Sequence, residues 1–149
     1  MIRVQKEDFD IGVEIKKLTQ TRTDIGAVVS FSGLARDHAG GENVSCIELE
    51  HYPGMTEREL SRIEAEATTR WQLQASLIIH RVGKLKPGDN IVLVLTASAH
   101  RAAAFEAAEF LMDYLKTSAP LWKRETKGDG PHWVEARSSD DDAADRWKK

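Results

Sequence analysis

The chain has 149 residues, of which 41% are hydrophobic and 30% charged, and its formal net charge at pH 7 is −3. These values are typical of one globular domain, and they exclude a chain-wide basic surface that would attract nucleic acid. A single cysteine excludes an internal disulfide and a zinc site built from cysteines. Because the sequence has neither a run of about 20 apolar residues nor the apolar core of a signal peptide, we expect a cytoplasmic protein.

The first part of the chain predicts strands separated by a short helix and a polar loop. Residues 2–5 form a short strand, and Asp10 is a suitable N-cap for the helix that follows. Residues 26–34 and 44–52 are rich in β-branched and aromatic types, which favours strands. The segment between them, 35–43, is polar and contains glycine, so we expect a loop that can carry functional side chains.

A second helix is predicted next, because Thr56 and Glu59 fit a capping box. Strands follow at 74–83 and 90–97. The second of these is apolar almost throughout, which is typical of a central strand covered on both faces.

The most pronounced amphipathic pattern lies between His100 and Lys116 and predicts a helix. Its predicted buried stripe consists of Phe105, Ala108, Leu111, Met112 and Leu115. Pro120 prevents the helix from continuing, because the residue before a proline is pushed out of the α region. Strands are then predicted near 121–126 and 132–136.

This order of elements predicts an α+β fold, in which about three helices pack on a mixed β-sheet. We expect one domain over residues 1–137. Residues 138–149 are acidic, and we expect a loosely ordered, flexible tail there.

The two ends of the predicted long helix carry charges that helix stability alone does not explain. His100 and Arg101 lie at its N-terminus, where the macrodipole disfavours cations unless an anion binds, most simply a phosphate. Lys116 and Lys123 flank the turn at Pro120, so the two lysines can converge on one point. The sequence therefore predicts an anion site beside a lysine pair.

Basic residues at element ends and in loops are the candidate binding set. They are Arg36, His100, Arg101, Lys116, Lys123, Arg124 and Arg137. A lysine whose pKa is lowered by a neighbouring cation or by desolvation can serve as a nucleophile or an acid–base group. The alternative is that these residues are ordinary surface charges, with Lys116 a favourable cation at a helix C-terminus and Lys123 a protective charge on an edge strand.

The sequence offers little support for a metal or a cofactor. Its five histidines never occur in HxH or HxxxH spacing, and there is no Walker loop, GxGxxG or GxSxG motif. We expect His51 and His80, which fall in predicted strands, to be hydrogen-bonded structural residues. Cys46 is also in a predicted strand, where a free cysteine is usually a small buried residue.

Several sequence runs resemble the large, catalytic subunit of molybdopterin synthase. They are GAVVSFSGLARDH, LEHYPGMTE, IIHRVGKLKPGD, SAHRAAAFEAAEFLMDYLKTSAPLWKRE and WVEAR. Together they cover about residues 25–137 in order and without a large gap. The resemblance implies an α+β domain with a small, α/β-hammerhead-like β subdomain.

The resemblance also implies an activity and partners. Members of that family convert cyclic pyranopterin monophosphate to molybdopterin by inserting two sulfurs as a dithiolene. The sulfur arrives as a thiocarboxylate on the C-terminal Gly-Gly of a small, ubiquitin-like partner subunit. Two large subunits form a dimer at the centre of a heterotetramer. From composition and motifs, not from the resemblance, we expect no nucleic acid, membrane, metal or further cofactor.

Site residues follow from the resemblance position by position. The positions that match family site residues are Lys116 and Lys123 as catalytic lysines, Arg36, His100 and Arg101 in the phosphate and pterin pocket, Arg124 and Glu125 as neighbours, and Arg137 near the pocket. We hypothesise that Lys123 is an acid–base group or traps the partner's carboxylate end, while Lys116 stabilises negative charge. The alternatives are a non-catalytic phosphate- or nucleotide-binding module and a scaffold that has lost activity.

Overall fold

Two four-stranded β-sheets, a two-stranded ladder and four helices make up the described part of the fold in a computed structural model, which describes residues 1–39, 41–128, 130–134 and 137–148. In chain order the elements of the described residues are β1 (Ile2–Gln5), α1 (Ile11–Thr19), β2 (Ala27–Leu34), β3 (His38–Ala39), β4 (Glu42–Asn43), β5 (Cys46–His51), α2 (Met55–Trp71), β6 (Ala75–Arg81), β7 (Gly83–Leu85), β8 (Asn90–Ser98), α3 (Arg101–Thr117), β9 (Leu121–Lys127), β10 (Gly130–Val134) and α4 (Ser138–Asp145), followed by a 3-10 turn at Arg146–Lys148. The fold is a single α+β domain with helices packed on a mixed sheet, as the sequence predicts.

The first sheet has the strand order β1-β6-β8-β2, with β1 parallel to β6 and the other pairs antiparallel. Its central strand β8 is buried almost throughout. Val92 and Val94 point towards α2 and α3, whereas Leu93 and Leu95 point towards α1, because side chains alternate along a strand. The prediction of a central strand covered on both faces is therefore confirmed.

The second sheet has the strand order β10-β9-β5-β7 and is antiparallel throughout. It forms the smaller β part of the domain, and its apolar residues pack in a cluster of their own. That cluster consists of Ala35, Val44, Ile47, Leu49 and Leu85. Ile47 and Leu49 lie on one face of β5, which also carries His51, as the alternating pattern predicts.

Helix starts show one confirmed and one wrong prediction. The Asp10 carboxylate accepts a hydrogen bond from the Val13 backbone N–H at 3.0 Å, so the predicted N-cap is confirmed. The capping box at Thr56 is wrong, because the Thr56 hydroxyl instead donates to the Pro120 carbonyl at 2.8 Å. The Glu57 carboxylate accepts from the Gly54 N–H, and Gly54 adopts a positive φ of 87° that suits glycine.

The buried face of α3 is rotated from the predicted stripe. Phe105 is 61% exposed, and the buried residues of the helix are Ala104, Ala107, Ala108, Phe110, Leu111 and Leu115. Alanines face the sheet in the first turns, where the Thr96 hydroxyl donates to the Ala104 carbonyl at 2.7 Å. Close approach of helix and strand therefore selects small residues there and leaves Phe105 outside.

The prediction of a loosely ordered tail is wrong for residues 138–148. The segment forms α4 and a 3-10 turn, and the Trp147 ring packs against the rings of Trp71 and Phe110. The Trp147 indole N–H also donates to the Asp113 carboxylate at 2.7 Å. These contacts involve residues distant in sequence, so the polar composition of the segment did not reveal them. The domain division at residue 137 stays a prediction.

None of the helices in the described part of the chain combines the length and the apolar composition that a membrane crossing requires.

Candidate active site

A cavity of about 580 Å³ lies where the inner face of the second sheet meets the C-terminal end of α3. The ends of β2 and β8 and the start of α4 complete its wall. Five of the eight predicted site residues line it, namely Arg36, Lys116, Lys123, Glu125 and Arg137. They come from four separate segments of the chain, which the fold brings together around one cavity.

Lys116 lies in the last turn of α3 and is exposed to the open cavity. The surrounding protein lowers the pKa of Lys116, mainly by desolvation and next through the positive charge of Lys123. Arg137 lowers this pKa further, and Asp140 opposes the shift. The proximity of the two lysines therefore contributes to lowering the pKa of Lys116.

Strand β9 divides the predicted residues between its two faces. Lys123 and Glu125 point into the cavity, where the Lys123 ammonium lies 3.2 Å from the Glu125 carboxylate. Arg124 lies on the opposite face, pairs with Glu48 and places its guanidinium 5.4 Å from the centre of the Trp133 ring. The structure does not bring Arg124 to the cavity, because neighbouring residues of a strand point to opposite faces.

His100 and Arg101 lie at the far end of α3 from the cavity, and both are exposed. At 1.5 Å per residue, the helix separates Arg101 from Lys116 by roughly 22 Å. The strand pairing also places the start of α3 far from the cavity. Ser98, just before the helix, pairs with Ala27 at one end of β2, and the cavity is at the other end of β2. Within one chain, the predicted convergence of this pair with the lysines is therefore wrong.

Sequence reasoning missed five titratable residues that line the cavity. They are His38, His80, Lys127, His132 and Asp140. The strand period could have identified Lys127, because it lies two residues beyond Glu125 on the same face of β9. His132 pairs with Glu125 across the sheet, a register that only the fold reveals. Of the WVEAR run, Glu135 and Ala136 lie outside the described residues, as does Gly40 in the predicted loop.

His80 is the most deeply buried titratable group of the cavity wall, with 4% of its surface exposed. Its Nδ1 lies 2.8 Å from the carbonyl oxygen of Arg81. A carbonyl only accepts hydrogen bonds, so Nδ1 carries the proton of the ring. Burial lowers the pKa of His80 to about 4, the hydrogen bond to Arg81 opposes this, and the charges of Lys116 and His51 add to it.

Among the described residues, no group of three or more His, Cys, Asp and Glu side chains is placed to hold a metal ion. Cys46 is only partly buried, so the expectation of a buried cysteine is not met. Cys46 lies on the same face of β5 as Glu48, opposite the face on which Ile47 lines the cavity, so its side chain points away from the cavity.

Comparison with known proteins identifies the family. The family model described as "MoaE protein" matches residues 4–118, which is more than half of the chain. This chain belongs to the MoaE family. The resemblance noted from the sequence runs is therefore confirmed.

Relatives of this MoaE-family chain match it over almost its whole length. The molybdopterin synthase catalytic subunit of Mesorhizobium japonicum is 61% identical, over 99% of this chain and 92% of that protein. The subunit of the same name from Escherichia coli is 53% identical, over 98% of this chain and 97% of that protein. A solved MoaE structure from Burkholderia ambifaria has a TM-score of 0.85 at 50% identity, covering 100% of this chain and 98% of its own.

The low pKa of His80 predicts that this MoaE-family chain loses stability in mild acid. The unfolded state binds a proton near pH 6.5 and the folded state only near pH 4, so stability falls as the pH drops between these values. The expected loss is about 3 kcal/mol, from 1.36 kcal/mol per pKa unit. Urea unfolding from pH 7 to 4 measures it. A His80→Gln variant should lose less over this range, and an equal loss in both proteins would contradict the assignment.

Proposed function

We propose that this chain is the catalytic subunit of a molybdopterin synthase. It would insert dithiolene sulfurs into cyclic pyranopterin monophosphate, using the C-terminal thiocarboxylate of a small ubiquitin-like partner. The observation that carries the proposal is the cavity itself, where Lys116 and Lys123 come from different elements and Arg36 and Arg137 add positive charge. The relatives named molybdopterin synthase catalytic subunit support the same activity.

The cavity chemistry fits an anionic, ring-shaped substrate and a negatively charged peptide end. Arginine and lysine donate charge-assisted hydrogen bonds to phosphate and to carboxylate or thiocarboxylate groups. The apolar residues Phe31, Ile91 and Met112 line the same space and can pack against a flat ring. Sulfur must be imported, because the single cysteine lies on a strand face that points away from the cavity.

The environments of the two lysines support roles opposite to our initial hypothesis. The lowered pKa of Lys116 suits a group that gives up a proton more readily than an ordinary lysine does. Lys123 is paired with Glu125 at 3.2 Å, which suits a fixed positive charge that stabilises a developing anion. We therefore propose Lys116 as the acid–base group and Lys123 as the electrostatic stabiliser.

Glu125 would hold Lys123 in place, and its burial makes it a partner that solvent does not displace. Arg36 and Arg137 would bind the phosphate of the substrate. Arg124 is omitted from this set, because it points away from the cavity and is engaged by Glu48.

His100 and Arg101 can still serve the reaction if a second copy of the chain brings them to the cavity. The pair is exposed at the N-terminus of α3, where backbone N–H groups and a guanidinium suit a phosphate. We propose that, in a two-fold dimer, the pair of one subunit completes the cavity of the other. In such a dimer, His100 and Arg101 of one subunit would lie beside Lys116 and Lys123 of the other, with the fold of each chain unchanged.

Subunit mixing tests the shared site. A Lys116→Ala chain and an Arg101→Ala chain are each expected to be nearly inactive alone. After random mixing, half of the dimers contain both chains and each has one intact site, so about a quarter of the wild-type rate should return. Mixing Lys116→Ala with Lys123→Ala is the control that should give no recovery, since both changes fall in one subunit's part of the site. Absence of recovery in the first mixture would contradict a shared site.

Reconstitution tests the function. The purified chain is combined with a small Gly-Gly-ending partner in its thiocarboxylate form and with cyclic pyranopterin monophosphate, and molybdopterin is measured. The expected result is a stable 1:1 complex and turnover that requires the thiocarboxylate. Absence of turnover, together with salt-sensitive retention of RNA, would instead favour a phosphate-binding module.

We also propose that the chain acts in the cytoplasm, in line with the biosynthetic role in the names of its relatives. Fractionation of cells that express the protein at its natural level tests this. Recovery mainly in the membrane or periplasmic fraction would contradict it.

A further inference from the structure

Thr56 is a fully buried polar residue that the proposed chemistry does not yet use. It lies in the first turn of α2, and none of its surface is exposed. Its hydroxyl makes two hydrogen bonds, since a hydroxyl can accept and donate at once. It accepts one from the Tyr52 backbone N–H at 2.9 Å and donates one to the Pro120 carbonyl at 2.8 Å. One side chain of α2 therefore joins the end of β5 to the turn before β9.

The two backbone groups that Thr56 joins lie where β5 and β9 part. His51 and Leu121 are the last registered pair of these strands, so Tyr52 and Pro120 would be the next pair. Proline has no N–H and cannot donate a ladder hydrogen bond. The Thr56 hydroxyl instead stands between the Tyr52 N–H and the Pro120 carbonyl and satisfies both. It extends the connection between the strands by one step.

The turn that Thr56 holds separates the two lysines of the cavity. Lys116 precedes Pro120 in the last turn of α3, and Lys123 follows it on β9. The backbone hydrogen bonds within the turn join near neighbours in sequence. The bond from Thr56, by contrast, fixes the turn to a separate part of the fold. The relative placement of α3 and β9 at the cavity therefore depends on it.

We propose that Thr56 is a positioning residue for the lysine pair. Its hydroxyl holds the turn at Pro120 against the end of β5 and so sets the separation and direction of the two amines in the cavity. Thr56 is not a catalytic residue in this view, because it touches the turn and not the substrate. A misplacement of reacting groups by about 1 Å can cost about 100-fold in rate. The importance of Thr56 for turnover rests on the proposed function, whereas its hold on the two lysines does not.

Two substitutions separate the hydroxyl of Thr56 from the shape of its side chain. Thr56→Val keeps the branched shape but leaves the Tyr52 N–H and the Pro120 carbonyl without the group that joins them. Thr56→Ser keeps the hydroxyl and loses only a methyl group. Thr96→Val is the matched control. Thr96 is also fully buried, and its hydroxyl donates to the Ala104 carbonyl of α3 at 2.7 Å, away from the cavity.

The measurement is the electrostatic coupling between the two lysines, followed by NMR titration of ¹³C-methylated lysines in the full chain. Lys123→Gln should raise the titration midpoint of Lys116, because it removes a neighbouring positive charge. The size of this rise reports the separation of the two amines, since the interaction of two charges weakens with distance. The Lys116 signal is assigned by its absence in Lys116→Arg.

The rise should be smaller by roughly half or more in the Thr56→Val background, because a turn that is no longer held lets the two like charges move apart. It should keep its wild-type size in the Thr56→Ser and Thr96→Val backgrounds. A rise of wild-type size in the Thr56→Val background would overturn the proposal. An equally reduced rise in the Thr96→Val background would also overturn it, since general loss of packing would then explain the effect. A reduced rise with Thr56→Ser would assign the effect to the methyl group and have the same consequence.

A second measurement needs no substitution and decides the question even if Thr56→Val fails to fold. The Tyr52 N–H is bonded to the Thr56 hydroxyl, and the Leu121 N–H is bonded within the turn, to the Ala119 carbonyl at 2.8 Å. If the hydroxyl holds the turn, both amides should exchange with solvent through the same opening, and their protection factors should agree within about tenfold. A larger difference in either direction would show that one group opens without the other and would overturn the proposal.

The rate of molybdopterin formation separates this inference from the proposed function. Thr56→Val should lower kcat by roughly 10- to 100-fold with KM nearly unchanged, because the arginines proposed to bind the phosphate lie on other segments. Thr56→Ser should restore kcat. If the coupling and kcat fall together, both proposals stand. If the coupling falls and kcat does not, Thr56 positions the lysines, and their proposed catalytic roles fail. If the wild-type chain forms no molybdopterin, the proposed function fails, and the coupling and exchange measurements still decide the role of Thr56.

Discussion

Replacing Lys116 with alanine should lower the rate of molybdopterin formation at least about 100-fold, because positioned acid–base groups typically contribute factors of 10² to 10⁴. Lys123→Ala should cause a loss of similar size by removing the charge that stabilises an anion in the cavity. Lys86→Ala is the matched control, since Lys86 is exposed in a turn and does not line the cavity. The measurement is single-turnover dithiolene formation with thiocarboxylate partner in excess.

The two lysine variants should differ in how they fail. Lys116→Ala removes a desolvated charge from the cavity wall. The free energy of unfolding of this variant should therefore not fall, and its fold should be intact. Removing Lys123 leaves the buried Glu125 carboxylate without its partner, which costs stability. Full activity in both alanine variants would contradict the catalytic assignment. An equal loss of activity in the Lys86→Ala control would also contradict it.

Replacing Phe110 with alanine should lower the free energy of unfolding by about 3–5 kcal/mol, the usual cost of removing a buried aromatic ring. Phe110 is fully buried, and the centre of its ring lies 5.2 Å from that of Trp71, 4.7 Å from that of Tyr114 and 5.7 Å from that of Trp147. Its loss would open a void between α2, α3 and the C-terminal turn. Urea unfolding at pH 7 measures the effect.

Phe105 provides the control on the same helix. It is 61% exposed, so Phe105→Ala should change the free energy of unfolding of the isolated chain by no more than about 0.5 kcal/mol. The sequence pattern makes the opposite prediction, because it places Phe105 in the buried stripe. A large loss of free energy of unfolding in Phe105→Ala and a small one in Phe110→Ala would show that the assignment of the buried face of α3 is wrong.

Features that depend on near neighbours in sequence could be predicted. The N-cap at Asp10 and the apolar run of β8 are local patterns, and both are present. The approach of Lys116 to Lys123 follows from a short turn at Pro120, whose ring ends the helix. Local chemistry therefore predicted the centre of the candidate site.

Features that depend on the direction in which a side chain points, or on residues distant in sequence, could not be predicted. His100 and Arg101 were grouped with Lys116 because one helix joins them, but its length separates its two ends. Arg124 was grouped with Lys123 because they are adjacent, although strand geometry sends neighbours to opposite faces. His80 became a cavity residue only because β6 ends beside the last turn of α3, a contact set by the order of strands in the sheet.

The division of β9 into two faces makes the length of the connection before it critical. Lys123 and Glu125 face inwards, while Trp122 and Arg124 face outwards, and the antiparallel pairing with β5 holds this alternation in place. Inserting or deleting one residue between α3 and β9 would slip the strand by one position and exchange the two sets. The cavity would then receive an indole and a guanidinium in place of an amine and a carboxylate. Such a change would abolish the chemistry with no substitution at any residue of the site.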